Sequence, residues 1–196
     1  MTDDPRPLVA GLRVDASVFG PTRGARCDLR VCRAACCRQG IWVDVAHIAA
    51  VRARAADIAP HLPPERRDPA GWFDEAEVMV HADFPSGRGH PTEVLIDPAE
   101  PALDTCVFRR PDYLCALQIT DPALKPYDCY TYPLLKSEGE LTLDRHSAQE
   151  LGGADCQQPR QPAGRVVDVF RDELKLMLSE ADLAALLALA GRAAER

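Results

Sequence analysis

The sequence lacks an apolar run of the roughly 18 residues that a membrane helix needs, so we expect no membrane partner. It also lacks an excess of positive charge: 23 Lys and Arg against 30 Asp and Glu give a formal net charge of −7. Together with the missing interleaving of aromatic and basic residues, this charge argues against nucleic-acid binding. No Ser/His/Asp arrangement, phosphate-binding glycine loop or paired-carboxylate motif stands out, so the common catalytic motifs suggest no reaction.

The first residues lack the basic start and apolar stretch of a secretory signal, since Asp3 and Asp4 precede the first apolar pair. We therefore expect a cytoplasmic protein, in which structural disulfides are rare and clustered thiols bind metal or do redox work. A thioredoxin-like Cys-x-x-Cys is missing, and the adjacent Cys36 and Cys37 would form only a strained vicinal disulfide. A metal-free thiol–disulfide function therefore ranks last among the interpretations.

What the sequence does have is cysteine: eight in 196 residues, four of them within eleven positions. The hydrophobic fraction of 46% and the charged fraction of 27% are typical of a folded globular chain. We expect a small single α+β domain with short strands, cysteine-bearing loops around a metal centre, and C-terminal helices. The predicted division is an extended N-terminal segment, a cysteine-cluster metal-binding domain and a C-terminal helical extension packed on it, at 1–22, 23–164 and 165–196.

Hydrophobic periodicity and turn residues predict the individual elements. A three-and-four apolar spacing predicts a helix from Asp44, its N-cap, to about Leu62. Two amphipathic helices are expected at the C-terminal end, the second started by Ser179 with Asp182 as a capping-box variant. Short β-rich runs predict strands at 12–19, 77–81, 92–96, 106–108, 114–117 and 141–143.

The cysteines fall into an early group and a late group. The early group has the spacing Cys27-x4-Cys32-x3-Cys36-Cys37, and the late group consists of Cys106, Cys115, Cys129 and Cys156. This order allows one four-thiolate site with four spare thiols, or two sites that join distant segments. The spacing leaves both arrangements open.

A helix over 28–37 would place Cys32 and Cys36 on one face, where two thiolates can reach one metal ion. Cys37 would then point about 100° away and could join that ion only if the backbone leaves the helix. Either the two adjacent cysteines serve different centres, or the segment is a loop wrapped on one cluster.

The spacing does not choose the metal. Zinc sites usually show paired Cys-x2–4-Cys knuckles, and here such short pairs occur only in the early group. Iron–sulfur clusters often use three close cysteines and a remote fourth, which the sequence can supply, and thiolates also suit copper(I). Zinc and iron are the main candidates.

Arginines near the cysteines either offset thiolate charge or reflect the chain's general use of arginine: Arg23, Arg26, Arg30, Arg33, Arg38, Arg109 and Arg110.

The combined motifs resemble the YkgJ-type cysteine-cluster family, described as zinc- or iron-chelating domains of the CxxCxxCC type. The resemblance covers about 27–160 and includes a Cys-Cys pair, Cys106-Val-Phe, Cys115-Ala and Lys125-Pro-Tyr-Asp-Cys129-Tyr-Thr-Tyr-Pro133. Here the early spacings are widened to x4 and x3, and Tyr130 stands where relatives often have histidine or phenylalanine. The branch with a Cys-x3-Cys-Cys ending is the closer match.

The resemblance implies that all eight cysteines are metal ligands, with Pro126, Tyr132 and Pro133 as the framework around Cys129. It implies a cytosolic metal-binding protein that holds zinc or an iron–sulfur cluster. An iron–sulfur-dependent enzyme, with redox or protein-methylation chemistry, is the alternative, because multidomain relatives of the flagellin methylase type are implicated in lysine methylation. A protein partner or small-molecule substrate is not indicated.

Few residues other than cysteine are candidates for a role at the expected metal site. His146, ten residues before Cys156, is the histidine best placed for a role beside the metal, although we expect it not to participate. His47 is predicted to be a packed or surface residue. We expect Tyr127, Tyr130 and Tyr132 to pack around Cys129 and shield it from water.

Overall fold

The computed structural model describes residues 5–23, 33–97, 99, 104–144, 157 and 163–194. These residues form two compact units. The terminal unit comprises described residues of 1–32 and 130–196, and the central unit comprises those of 33–129. Helices and several small sheets occur together, so the α+β prediction is confirmed. The domain division expected from the sequence stays a prediction.

The strands are short, and most of the helices are too. The strands are β1 Leu8–Val9, β2 Leu12–Val14, β3 Pro21–Arg23, β4 Trp42–Asp44, β5 Met79–Val80, β6 Arg88–Pro91, β7 Val94–Leu95, β8 Thr105–Cys106, β9 Leu134–Ser137, β10 Glu140–Leu143 and β11 Ala163–Arg165. The α-helices are α1 Val45–Ala53, α2 Ala55–Ile58, α3 Ala116–Thr120, α4 Tyr127–Thr131, α5 Val166–Val169, α6 Arg171–Met177 and α7 Glu180–Ala194. In the described part of the chain, no helix is long and apolar enough to cross a membrane.

The terminal unit is built from residues of both ends of the chain. Its four-stranded sheet has the order β1-β2-β10-β9, in which β2 and β10 are parallel and the other pairs antiparallel. Strands β3 and β11 form a second, antiparallel pair. The predicted apolar stripes of the C-terminal helices are buried in one core with residues of the sheet, including Val14, Leu141, Val166, Leu174 and Leu186.

The start of α7 follows the sequence prediction. Ser179 Oγ accepts a hydrogen bond from the Asp182 amide at 3.2 Å and donates one to Asp182 Oδ2 at 2.6 Å. This reciprocal pair satisfies an amide that the first turn of a helix would otherwise leave unbonded. The capping box is confirmed.

The central unit contains the cysteine-bearing segments that the structure describes. Its antiparallel sheet has the order β4-β6-β5, and β7 pairs with β8. The core is built on Trp72 and Phe108, whose ring centroids lie 5.3 Å apart in an edge-on arrangement. Phe73 packs on Phe108 at 5.6 Å. Edge-on aromatic pairs of this kind add to the stabilisation from buried apolar area.

The predicted helix from Asp44 to Leu62 starts as expected but is interrupted. Asp44 Oδ1 accepts a hydrogen bond from the Ala46 amide at 2.8 Å, so the N-cap is confirmed. At Arg54 the backbone leaves helical angles, with φ −107° and ψ 18°, and separates α1 from α2. Pro60 lies in the short 3-10 turn Ala59–His61 that ends the segment.

The strands predicted at 77–81 and 92–96 are present as β5 and β7. They do not form a hairpin with each other, because β5 pairs with β6 and β7 pairs with β8. The strand predicted at 114–117 is wrong, because Ala116 begins α3 and only an isolated bridge joins Cys115 to Arg109. A four-residue apolar run does not distinguish a buried strand from a short buried helix.

Candidate metal centre

Five of the eight cysteines lie in described residues, and all five belong to the central unit. Cys27, Cys32, Cys156 and His146 lie outside the described residues. The five come from four separate segments of the chain, which supply Cys36 with Cys37, Cys106, Cys115 and Cys129. The fold therefore has to bring together thiols up to 93 positions apart (129 − 36).

Cys36 and Cys37 lie on a short 3-10 turn, Ala35–Cys37. The two residues before it, Arg33 and Ala34, have left-handed backbone angles, with φ values of 49° and 54°. A continuous helix through 28–37 is therefore wrong, because the backbone departs from right-handed helical angles at these residues. The Cys36 side chain is the neighbour that raises the pKa of Cys37 most.

Cys106 ends β8 and is buried. Its Sγ lies 3.6 Å from Thr92 Oγ1, the oxygen that also accepts a hydrogen bond from the Ile41 amide at 3.0 Å. Burial raises the pKa of the Cys106 thiol from 9.0 to about 11, although Thr92 and the Phe108 amide oppose part of that rise. The free thiol is therefore protonated at neutral pH.

Cys115 and Cys129 lie at short helices. Cys115 immediately precedes α3, and burial raises its pKa against the opposing effect of the Gln118 and Leu117 amides. Cys129 lies within α4, where its amide donates to Pro126 O at 3.1 Å. Burial raises the pKa of Cys129 well above its ordinary value. Both thiols are thus also costly to ionise without a nearby cation.

The five thiols act on one another electrostatically. After burial, the largest causes of the raised Cys129 pKa are the charges of Cys106, Cys115 and Cys36. The pKa of Cys37 is raised first by its hydrogen bond with Cys36, then by burial, and further by Cys36, Cys106 and Cys129. Such mutual repulsion between buried groups requires that they lie close together. We refer to the five residues linked by these electrostatic effects as the thiol cluster: Cys36, Cys37, Cys106, Cys115 and Cys129.

Two cationic side chains face this thiol cluster. Lys125 lowers the pKa of Cys115 and of Cys129, and Arg66 lowers that of Cys106. Neither effect overcomes burial, since all three thiols keep raised pKa values. Arg66 is not one of the arginines that flank the cysteines in sequence, yet its charge lowers the pKa of Cys106.

The donor chemistry of the thiol cluster fits a thiophilic ion. Zinc and iron–sulfur clusters take thiolate ligands, and a bound cation removes the mutual repulsion that raises these pKa values. Within the described ranges, however, no group of three or more His, Cys, Asp or Glu side chains is arranged to hold a metal ion. The described thiols thus match the expected ligand type. They are not arranged as a metal-coordination site in this structure.

The other sequence candidates have clear surroundings where they are described. His47 Nε2 lies 2.8 Å from Leu124 O, as expected for a packed histidine. Tyr127 is 48% exposed, whereas Tyr132 packs against the core of the terminal unit and accepts a hydrogen bond from Gln157 Nε2 at 3.2 Å. These two environments differ from the common shielding role beside Cys129 that the sequence predicts.

The sequence does not predict that Thr92 and Arg66 act on Cys106. A lone threonine and one arginine among many carry no local signal, because only the pairing of β7 with β8 brings Thr92 beside Cys106.

No family model, curated protein or solved structure matches the chain. The resemblance to the YkgJ-type family therefore stays a prediction.

Proposed function

We propose that this protein binds a thiophilic metal, zinc or an iron–sulfur cluster, through its cysteines. The observation that supports the proposal is the thiol cluster, in which side chains from four chain segments raise one another's pKa inside one unit. The mutual effects on pKa arise when the thiols ionise, and a bound cation would compensate the charge of several thiolates at once.

The residues that would hold the metal are the thiol cluster together with the three remaining cysteines, Cys27, Cys32 and Cys156. The bound ion would supply positive charge to the thiolates and join segments of the chain that are distant in sequence. The proposal places the protein in the reducing cytoplasm, where thiols stay available as ligands. The metal stoichiometry per chain bears on the number of centres.

The test is elemental analysis of the protein purified without oxygen, for zinc, iron and acid-labile sulfide, together with its visible absorption spectrum. We expect at least one zinc ion per chain, or iron with matching sulfide and a coloured protein. Cys106→Ser and Cys129→Ser should each lower the metal content, because each removes a buried thiol of the cluster.

Thr105→Val is the matched control, since Thr105 is buried beside Cys106 in the same strand and carries no thiol. It should keep the wild-type metal content while imposing a similar local change. A colourless wild-type protein with neither zinc nor iron would overturn the proposal. Equal metal loss in the control and in the cysteine variants would show that the cysteine effect is only structural.

A further inference from the structure

The turn that carries Cys36 and Cys37 is entered through an unfavourable backbone conformation. Arg33 and Ala34 both have positive φ, at 49° and 54°, a region that is unfavourable for non-glycine residues. Ala34 is also buried, and its carbonyl accepts the Cys37 amide at 2.9 Å. Two consecutive strained residues persist only where surrounding contacts hold them in place.

One contact to this pair comes from Arg109. Its guanidinium Nη1 donates a hydrogen bond to Arg33 O at 3.3 Å and lies over the Tyr113 ring, 5.4 Å from the centroid. The backbone of Arg109 is tied to two other cysteine segments. Its amide donates to Cys106 O at 2.9 Å, and it forms the isolated bridge with Cys115. Arg109 thus contacts three of the four described segments that carry cysteines.

Arg109 is itself held by the core. Its carbonyl accepts a hydrogen bond from Arg66 Nη1 at 2.8 Å, and the Arg66 carbonyl accepts one from Trp72 Nε1 at 2.7 Å. Trp72 is completely buried. A series of hydrogen bonds therefore runs from a core tryptophan, through Arg66 and Arg109, to the strained entry of the cysteine turn.

We propose that Arg109 is a positioning residue of the thiol cluster, which holds the left-handed Arg33–Ala34 pair so that Cys36 and Cys37 face Cys106 and Cys115. This inference rests on the proposed function, because positioning the thiols serves metal binding. The contacts of Arg109 with the turn can nevertheless be tested in the metal-free chain. Positioning groups around metal ligands are typically responsible for about 10-fold to 100-fold in affinity. Arg109 acts through the cysteines, since its guanidinium carries no metal-ligand atom at neutral pH.

The first readout needs no metal. In the metal-free protein under reducing conditions, alkylation of Cys36 and Cys37 by a maleimide is followed by mass spectrometry of the resulting peptides. Arg109→Gln should raise the alkylation rate of both thiols severalfold, because the turn is no longer held. Arg110→Gln is the matched control, since it makes the same charge change at the next residue, whose side chain bonds to Asp112.

The second readout is the zinc affinity, measured by competition with a chromophoric chelator. Arg109→Gln should weaken zinc binding about 10-fold to 100-fold, while Arg110→Gln leaves it close to the wild-type value. The double variant Arg109→Gln/Ala34→Gly should recover part of the loss, because glycine adopts the left-handed conformation without strain. Ala34→Gly alone is the control, because relief of the left-handed strain acts on the wild-type chain as well; only a larger gain in the Arg109→Gln background supports positioning.

The outcomes distinguish the two proposals. Equal alkylation rates in Arg109→Gln and Arg110→Gln would overturn the positioning role, whether or not the wild type binds zinc. Equal zinc affinity in these two variants would overturn it as well. A wild-type protein that binds no metal, but whose Arg109→Gln variant alkylates faster, would overturn the metal-binding function and leave the positioning role in place.

Discussion

Cys106 Sγ lies 3.6 Å from Thr92 Oγ1, and the same oxygen accepts a hydrogen bond from the Ile41 amide at 3.0 Å. Thr92 thereby connects the buried thiol to the segment that follows Cys36 and Cys37. This segment and β8 are far apart in sequence, so the threonine directly links an early and a late cysteine region.

Thr92→Val should therefore destabilise the protein by about 1–3 kcal/mol, because the isosteric valine leaves the Ile41 amide without its acceptor. Denaturant unfolding at neutral pH measures the change. Thr105→Val serves as the control, since its hydroxyl makes only a longer 3.4 Å contact with Cys106 O. Equal losses in both variants would mean that burial of the methyl groups, and not the hydrogen bond to Ile41, decides the stability.

The raised thiol pKa values predict a pH dependence of the metal-free protein. A group that binds its proton more tightly when folded contributes stability at low pH and loses it as the pH rises. For Cys106 the loss begins near its ordinary pKa of 9.0 and is complete above about 11. The stability lost across this window from Cys106 alone is about 2–3 kcal/mol.

Denaturant unfolding between pH 8 and about pH 11 tests this prediction, with Cys106→Ala as the comparison. The variant should be less stable at pH 8 but show a shallower decline with pH. A decline as steep as that of the wild type would contradict the assignment to Cys106. Bound metal should remove much of the decline, because metal-bound thiolates have already released their protons.

Asp44 is predicted to stabilise the central unit through two sets of contacts. Its Oδ1 caps α1, and its Oδ2 accepts bonds from the amide and the hydroxyl of Ser86, both at 2.7 Å. Burial raises the pKa of Asp44, but the hydrogen bonds from Ser86 and the helix start outweigh it, so the net pKa is lowered. Asp44→Ala should cost about 0.5–2 kcal/mol at neutral pH.

Thermal unfolding at several pH values measures this effect and its sign. A carboxylate with a lowered pKa contributes above its unfolded pKa of 3.8 and stops contributing as the pH falls through its folded value. The difference between wild type and variant should therefore shrink in acid. Asp57→Ala, which removes only an exposed ion pair with Arg54, should change stability by less than about 0.5 kcal/mol. A larger loss of stability in Asp57→Ala would contradict the expected order, in which Asp44→Ala is the more costly substitution.

Gly40 is predicted to tolerate no side chain. Its φ is +68°, and a Cβ atom would lie 2.6 Å from Thr92 Oγ1 and 2.8 Å from Val94 Cγ2. Gly40→Ala should cost at least about 1–2 kcal/mol from the backbone alone, with a further loss as Thr92 is displaced from Cys106. Urea unfolding measures the loss, and Gly71→Ala, where nothing lies within 4 Å, should change stability little.

Features that depend on neighbouring residues were predictable. The caps at Asp44 and Ser179, and the apolar stripes of the C-terminal helices, rest on contacts within four residues, which the sequence displays directly.

Features that depend on distant residues were not predictable. Arg88–Pro91 resembles a turn because of its Gly and Pro, yet it is the central strand of its sheet. A Cβ at Gly89 would lie 2.7 Å from Val43 O, so this glycine serves close packing between strands and not a turn. Such pairing depends on residues 46 positions apart (89 − 43), and no local pattern encodes it.

The sequence was enough to predict the α+β class and the helix starts, because periodicity and capping act over a few residues. The prominence of cysteine followed from composition alone. Tertiary packing decided which thiols meet, that Thr92 and Arg66 accompany Cys106, and that Arg109 reaches the entry of the Cys36–Cys37 turn. The physical reason is that burial and through-space charge raise a thiol pKa only when folding brings separate segments together.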